Sequence, residues 1–183
     1  MATPRRVFRI YQQLAHDAAE IRDFLSAKGE KSGTLDLLVS GDRDKLLRRW
    51  GEEMEEICGV LDGTHKDSYL MESTQTFYWG SLYAVSGGSD WDSIGFDAVR
   101  RQAATCGIDT VPEVLKSAQR LVSLGAGQAK PEKLFLLWNA ADWIYRRQTK
   151  PEDQWSLEQL MEADLQEMKK RTYLEPILKQ VVE

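Results

Sequence analysis

Apolar residues recur at three- and four-residue steps along almost the whole chain, and that period points to helices. Val7, Ile10, Leu14, Ala18, Ile21 and Leu25 form one stripe of a helix over residues 4–28, closed by Gly29. Leu46, Leu47, Trp50, Met54, Ile57 and Leu61 form the buried side of a second long helix, capped by Asp42 and broken at Asp62-Gly63. Leu70, Met71, Thr74, Phe77, Tyr78, Leu82 and Val85 mark a third, which ends at Gly87-Gly88. Thr64 with Asp67 reads as its capping box. No useful length of strand alternation and no solenoid-like repeat occurs. The expected fold is all-α, with short-linked helices lying antiparallel.

Shorter elements fill the rest. Ser32 or Thr34 can cap a brief helix carrying Leu35, Leu37, Leu38 and Val39. Ser89 or Asp90 caps one with Trp91, Ile94 and Val99 that runs to Cys106-Gly107, and Thr110 with Pro112 opens another reaching Leu124. Leu124-Gly125-Ala126-Gly127 is the best boundary, dividing residues 1–127 from a C-terminal helical extension, 128–183, expected to pack on the first unit or on a partner subunit. Pro131 opens a strongly apolar helix, and Ser156 with Gln159 forms a second capping box. Trp138, Trp143 and Trp155 are expected in the core or a subunit contact. Arg146-Arg147 and Lys169-Lys170-Arg171 read as solvated helix ends.

Composition removes several function classes. With 42% hydrophobic and 29% charged residues, 183 residues can bury a core. A net charge of −5 argues against an extended nucleic-acid surface, though not against a small nucleotide. No apolar run approaches the ~18 residues of a membrane span. The basic start, Met1 to Arg6, has no apolar signal core behind it, so a cytoplasmic location is expected. Cys58 and Cys106 sit among apolar or small residues and suit reduced thiols. His16 and His65 lie far apart, a poor basis for a zinc site or a His-centred triad, and His16 falls off its helix's apolar stripe.

The chemistry concentrates in Glu52-Glu53-Met54-Glu55-Glu56 and its echo, Glu72 with Gln75. Glu53 and Glu56 project from one helix face, and Glu72 and Gln75 repeat the spacing on the next helix. If these faces meet, their carboxylates repel unless a cation neutralises them, and Mg²⁺ is the oxygen-ligated ion that bridges carboxylates to substrate phosphates. Lys45, Arg48 and Arg49, one to two turns upstream, are the candidate phosphate contacts. The same spacing also describes an ordinary solvated face, with those cations pairing Glu52 or Glu53.

Residues 21–61 resemble phosphoribosyl-ATP pyrophosphohydrolase. The likeness is carried by Ser32-Gly33-Thr34, Leu35, Leu37, Leu38, Gly41, Lys45-Leu46 and Arg48-Arg49-Trp50-Gly51-Glu52-Glu53. More broadly, residues 18–124 resemble the MazG-like all-α nucleotide pyrophosphohydrolases, in which a Glu-Glu-x-x-Glu motif and a Glu-x-x-Asp motif on the next helix bind Mg²⁺. The resemblance implies an antiparallel helical bundle of the MazG-like type, with extra C-terminal helices here, and an assembly of two or four copies. It implies Glu52, Glu53 and Glu56 as catalytic residues, and Glu53, Glu56, Glu72 and Gln75 as the shell of Mg²⁺, with Mn²⁺ as the alternative ion. The implied reaction is attack of water between the α and β phosphates of a nucleotide, releasing pyrophosphate.

The chain departs from that pattern at Gln75, which stands at the family's Asp position and offers only a neutral carbonyl oxygen. Trp79 stands where the phosphoribosyl-ATP enzymes often carry histidine, Trp50 replaces a small aliphatic residue, Arg49 replaces a lysine, and Gly33 replaces an aromatic. Two readings follow: a metal-dependent nucleotide pyrophosphohydrolase, or a non-catalytic nucleotide-binding or regulatory interaction module on the same scaffold.

Overall fold

Most of the longer helices start where a short polar side chain can satisfy a free backbone N–H. Thr3 accepts from Arg6 to open α1 (Pro4–Ala27), Ser32 opens α2 (Gly33–Ser40), and Asp42 opens α3 (Arg43–Asp62). Ser68 opens α4 (Tyr69–Ser86), and Asp90 forms a capping box for the single turn of α5 (Trp91–Ile94). After α6 (Phe96–Ala103), Thr110 and Glu113 form the capping box of α7 (Val111–Leu124). Pro131 is the first residue of α8 (Pro131–Gln148), Ser156 and Gln159 cap α9 (Leu157–Lys169), and α10 (Glu175–Gln180) closes the chain. The computed structural model describes residues 2–182, which contain no strand. The fold is all-α.

Two local expectations fail for identifiable reasons. Thr64 does not cap α4: its N–H and hydroxyl both bond the Asp62 carboxylate, at 3.0 and 2.6 Å, so Thr64 belongs to the turn after α3. The helix over Trp91, Ile94 and Val99 is two pieces, because Gly95 adopts a left-handed conformation at φ +60° between them.

α3 and α4 form the most extensive helix pair. The Arg49 guanidinium lies over the Trp79 ring and Trp50 packs beside Gly80, whereas Glu56 neighbours Glu72. Rising numbers on α3 meet falling numbers on α4, so the two are antiparallel. Gly51 lets α7 approach α3, since a Cβ there would stand 2.6 Å from a Val122 methyl.

α8 packs against α3, α4, α6 and α7. Its residues from Leu134 to Asp142 are all buried, which suits a helix enclosed on most sides. Phe135 and Trp138 join Phe8, Phe77, Trp91 and Phe96 in a ring of edge-on and tilted aromatic contacts. The Trp138 ring N–H donates to the Ser73 carbonyl at 3.0 Å. Each such side chain contributes about 1.5–3 kcal/mol by leaving water. Trp143 is half-buried and Trp155 is exposed.

Arg146 is not a solvated end. With Arg100 it clamps the fully buried Asp142 carboxylate, at 2.8 and 2.9 Å, and the Tyr69 hydroxyl donates to the other oxygen at 2.8 Å. α9 packs on α4 and α1, and α10 on α1. No described helix is long and apolar enough to cross a membrane. Cys58 is buried and Cys106 half-buried, both as free thiols.

Candidate metal centre

A buried carboxylate needs a partner, and α3 and α4 bury two that are only half satisfied. Glu53 is 2% exposed and Glu72 is completely buried. Glu53 Oε1 accepts from Arg49 at 3.2 Å, while Oε2 has no partner. Glu72 Oε1 lies 3.3 Å from His65 Nε2, while its Oε2 has none. Glu56, half-buried, completes a group with His65 and Glu72 whose ligand atoms all fall within 4.8 Å of one another. Of the two expected faces, Glu56 and Glu72 meet, while Glu53 lies outside the group.

His65 was absent from the expected set. It stands in the linker between α3 and α4, with Nε2 3.1 Å from Asp67, 3.3 Å from Glu72 and 4.0 Å from Glu56. The linker folds back because the Thr64 and His65 N–H groups both donate to the Gly59 carbonyl, at 2.8 and 2.9 Å. Gly59 leaves the room: a Cβ there would stand 2.8 Å from the His65 Cβ. One signal in the sequence was usable. A short linker must lie at the end of the helix pair where Glu56 and Glu72 meet.

The electrostatics follow from burial and like charge. Burial pushes the Glu53 carboxyl up to about 7, Glu56 adding to the shift and Arg49 opposing it. Burial likewise pushes Glu72 up to about 7, with the Glu56 carboxylate beside it contributing and His65 opposing. For His65, desolvation alone would lower the pKa, but Glu72, Asp67 and Glu56 outweigh it and raise the imidazole above its ordinary value. Arg49 beside Glu53 and His65 beside Glu72 are the basic side chains that this chain itself supplies among these carboxylates.

These shifts share one sign in stability. A group whose folded pKa is raised stabilises fully below its unfolded value and loses that contribution as pH rises through its folded value. Glu53 and Glu72 therefore favour the fold near pH 4.5 and lose that preference through pH 7. In chelator, the melting temperature is expected to fall between pH 5 and pH 8, and Mg²⁺ or Mn²⁺ is expected to recover part of it at pH 8. A melting temperature that rises over that interval, or ignores the ions, contradicts this account.

The remaining expected residues divide. Arg49 pairs with Glu52 as well as Glu53, and its guanidinium lies 5.1 Å from the Trp79 ring centroid. Arg49, Lys45, Gln75 and Trp79 line a cavity of about 1080 Å³ formed chiefly by α2, α3, α4 and α9. Gln75 is half-buried in that wall. Glu52 is exposed. Arg48 instead lines a shallow groove toward α7 with Glu52 and Glu55, apart from the cavity. Arg171, expected in a solvated end, lines the cavity.

The donor set suits a hard divalent ion. Glu56 and Glu72 offer the carboxylate oxygens that Mg²⁺ and Mn²⁺ accept, and the His65 imidazole is compatible with Mn²⁺; Glu53 lies outside that group, and Gln75 lines the cavity wall instead. Glu72 Oε2, orphaned within that group, is an atom such an ion would satisfy. Comparisons with protein-family models, with curated proteins and with solved structures return no match to this chain.

Proposed function

We propose that this chain is a divalent-metal-dependent nucleotide pyrophosphohydrolase, cleaving between the α and β phosphates. The observation that carries the reading is the pair of buried carboxylates, Glu53 and Glu72, each with an unsatisfied oxygen, the first of them paired with Arg49 on the wall of a nucleotide-sized cavity. Such oxygens are not retained for stability, because a buried acceptor left without a partner costs about 1–3 kcal/mol.

Glu53, Glu56 and Glu72 would hold the ion, with the Gln75 carbonyl oxygen completing the shell from α4. When bound, Mg²⁺ or Mn²⁺ supplies Lewis acidity toward a phosphoryl oxygen. Arg49 and Lys45 carry the charge that phosphates need. Arg49 now neutralises Glu52 and Glu53; turning toward a phosphate would free Glu52, whose exposed carboxylate can take the proton of the attacking water. The products are a nucleoside monophosphate and pyrophosphate.

Pyrophosphate release across a nucleotide panel, with Mg²⁺ or Mn²⁺ and with chelator, tests the reading. Release that depends on the ion is the expected result; none from any nucleotide removes the enzyme. Gln75→Asp is expected to raise metal affinity about tenfold, since it adds an anionic ligand. Unchanged metal affinity takes Gln75 out of the shell.

The neutrality of Gln75 and the imidazole already among the carboxylates favour one other reading, a module that binds nucleotide without turnover. Titration calorimetry separates the two. Nucleotide binding without pyrophosphate release supports the module.

A further inference from the structure

One wall of the cavity comes from beyond residue 128, outside the stretch that resembles the pyrophosphohydrolases. Asp164, Met168 and Arg171 contribute it. Asp164 is 4% exposed, and its Oδ1 accepts the Tyr11 hydroxyl at 2.6 Å, but Oδ2 has no partner. Leaving a buried acceptor unmade is costly, so this carboxyl needs a donor that the chain does not supply. Arg171 is near enough to oppose the rise in its pKa, yet makes no ion pair with it. The guanidinium lies instead 5.7 Å from the Tyr78 ring centroid. Burial pushes Asp164 up to about 7, and a donor arriving at the carboxylate would favour its ionised form.

The surroundings describe a flat guest. The Tyr11 and Tyr78 rings meet edge-on at 5.3 Å, and Tyr78 and Trp79 at 4.9 Å. Tyr78 is held in place by a hydrogen bond with Thr34. Aromatic faces and an arginine plane are what a heterocycle stacks on, and about 1080 Å³ accommodates a base and its sugar. Lys45 and Arg49 lie on the same cavity, where the phosphates of such a guest find positive charge.

We propose that this cavity receives the base of the nucleotide, and that Asp164 selects bases bearing an exocyclic amine, of the adenine or cytosine type, over those with a carbonyl oxygen in its place. An amine donates to the carboxylate; a carbonyl would set acceptor against acceptor. This rests on the nucleotide-binding reading above and adds the base class and the residue that reads it.

The test is calorimetric binding of four α,β-methylene triphosphates, which cannot be cut at the bond in question, in Mg²⁺ buffer. Adenosine and inosine form one pair, cytidine and uridine the other. Each amino member is expected to bind about tenfold tighter or more than its oxo counterpart. Asp164→Asn, whose amide can face either group, is expected to narrow that gap to about threefold or less. Equal binding within both pairs overturns the proposal on the wild-type chain alone, whether or not the variant folds. A gap that survives unchanged in a folded Asp164→Asn overturns the assignment to Asp164. Equal binding together with pyrophosphate release from the natural nucleotides removes this proposal and leaves the hydrolase; an amine preference without release removes the hydrolase and leaves this proposal. Failure of all four to bind overturns this proposal, and pyrophosphate release across the full panel then decides the hydrolase.

Discussion

Glu53→Gln is expected to lower pyrophosphate release by at least about a hundredfold, because even partners one shell further from a metal cost 10–100-fold when lost. The same substitution is expected to leave the fold as stable as before at pH 8 in chelator, or more stable. Glu53 is 2% exposed with one oxygen unsatisfied, and burial already pushes its carboxyl up to about 7. An amide of the same shape removes a charge that the interior disfavours. Arg49 keeps Glu52 as its partner. A site residue is thus separable from a structural one: activity falls while the melting temperature holds or rises. Undiminished release in a folded Glu53→Gln takes this carboxylate out of the site.

Asp142→Ala is expected to do the reverse, lowering stability by about 3–5 kcal/mol, the usual cost of leaving buried charges without their partner. Asp142 is fully buried and accepts from Arg100, Arg146 and Tyr69, so it ties α4, α6 and α8 together. Arg100 also donates to Asn139 at 2.7 Å, and Tyr69 stacks on Tyr145 with ring centroids 3.6 Å apart. Removing the carboxylate strands two guanidiniums against an apolar helix. For a chain of this length the melting temperature should drop by about 10 °C. Urea unfolding of Asp142→Ala beside the wild type measures it, and a loss under about 1 kcal/mol shows that water reaches both arginines and that the cluster is not a keystone.

These two carboxylates differ in how far the sequence announces them. Glu53 sits in a run whose spacing, flanking glycine and echo on the next helix single it out, so its sharing a helix face with Glu56 was legible. Asp142 sits in an apolar run, and nothing local says that Arg100, more than forty positions earlier, will meet it. Arg146 and Arg171 illustrate the same limit. Next to a helix end an arginine looks solvated, yet one turns onto Asp142 and the other into the cavity, because the partners come from distant elements. His65 was hidden differently: it lies in a linker without periodicity, and its place depends on the turn that Gly59 allows.

Helix class and most helix starts were decided by local chemistry. Apolar period, capping side chains and glycines act within a few residues, so Asp42, Thr110 and the Ser156–Gln159 box read correctly from sequence, and Ser32 was one of the two caps it offered for α2. Local chemistry also fixed that Glu53 and Glu56, and Glu72 and Gln75, share helix faces. Tertiary packing alone decided which of those carboxylates lose water and which keep it: Glu53 and Glu72 are buried, while Glu52 remains exposed. It alone brought His65 to Glu72 and carried Asp164 and Arg171 from the C-terminal segment to the cavity beside Arg49. Desolvation depends on every element that covers a group, and no stretch of sequence contains its own cover.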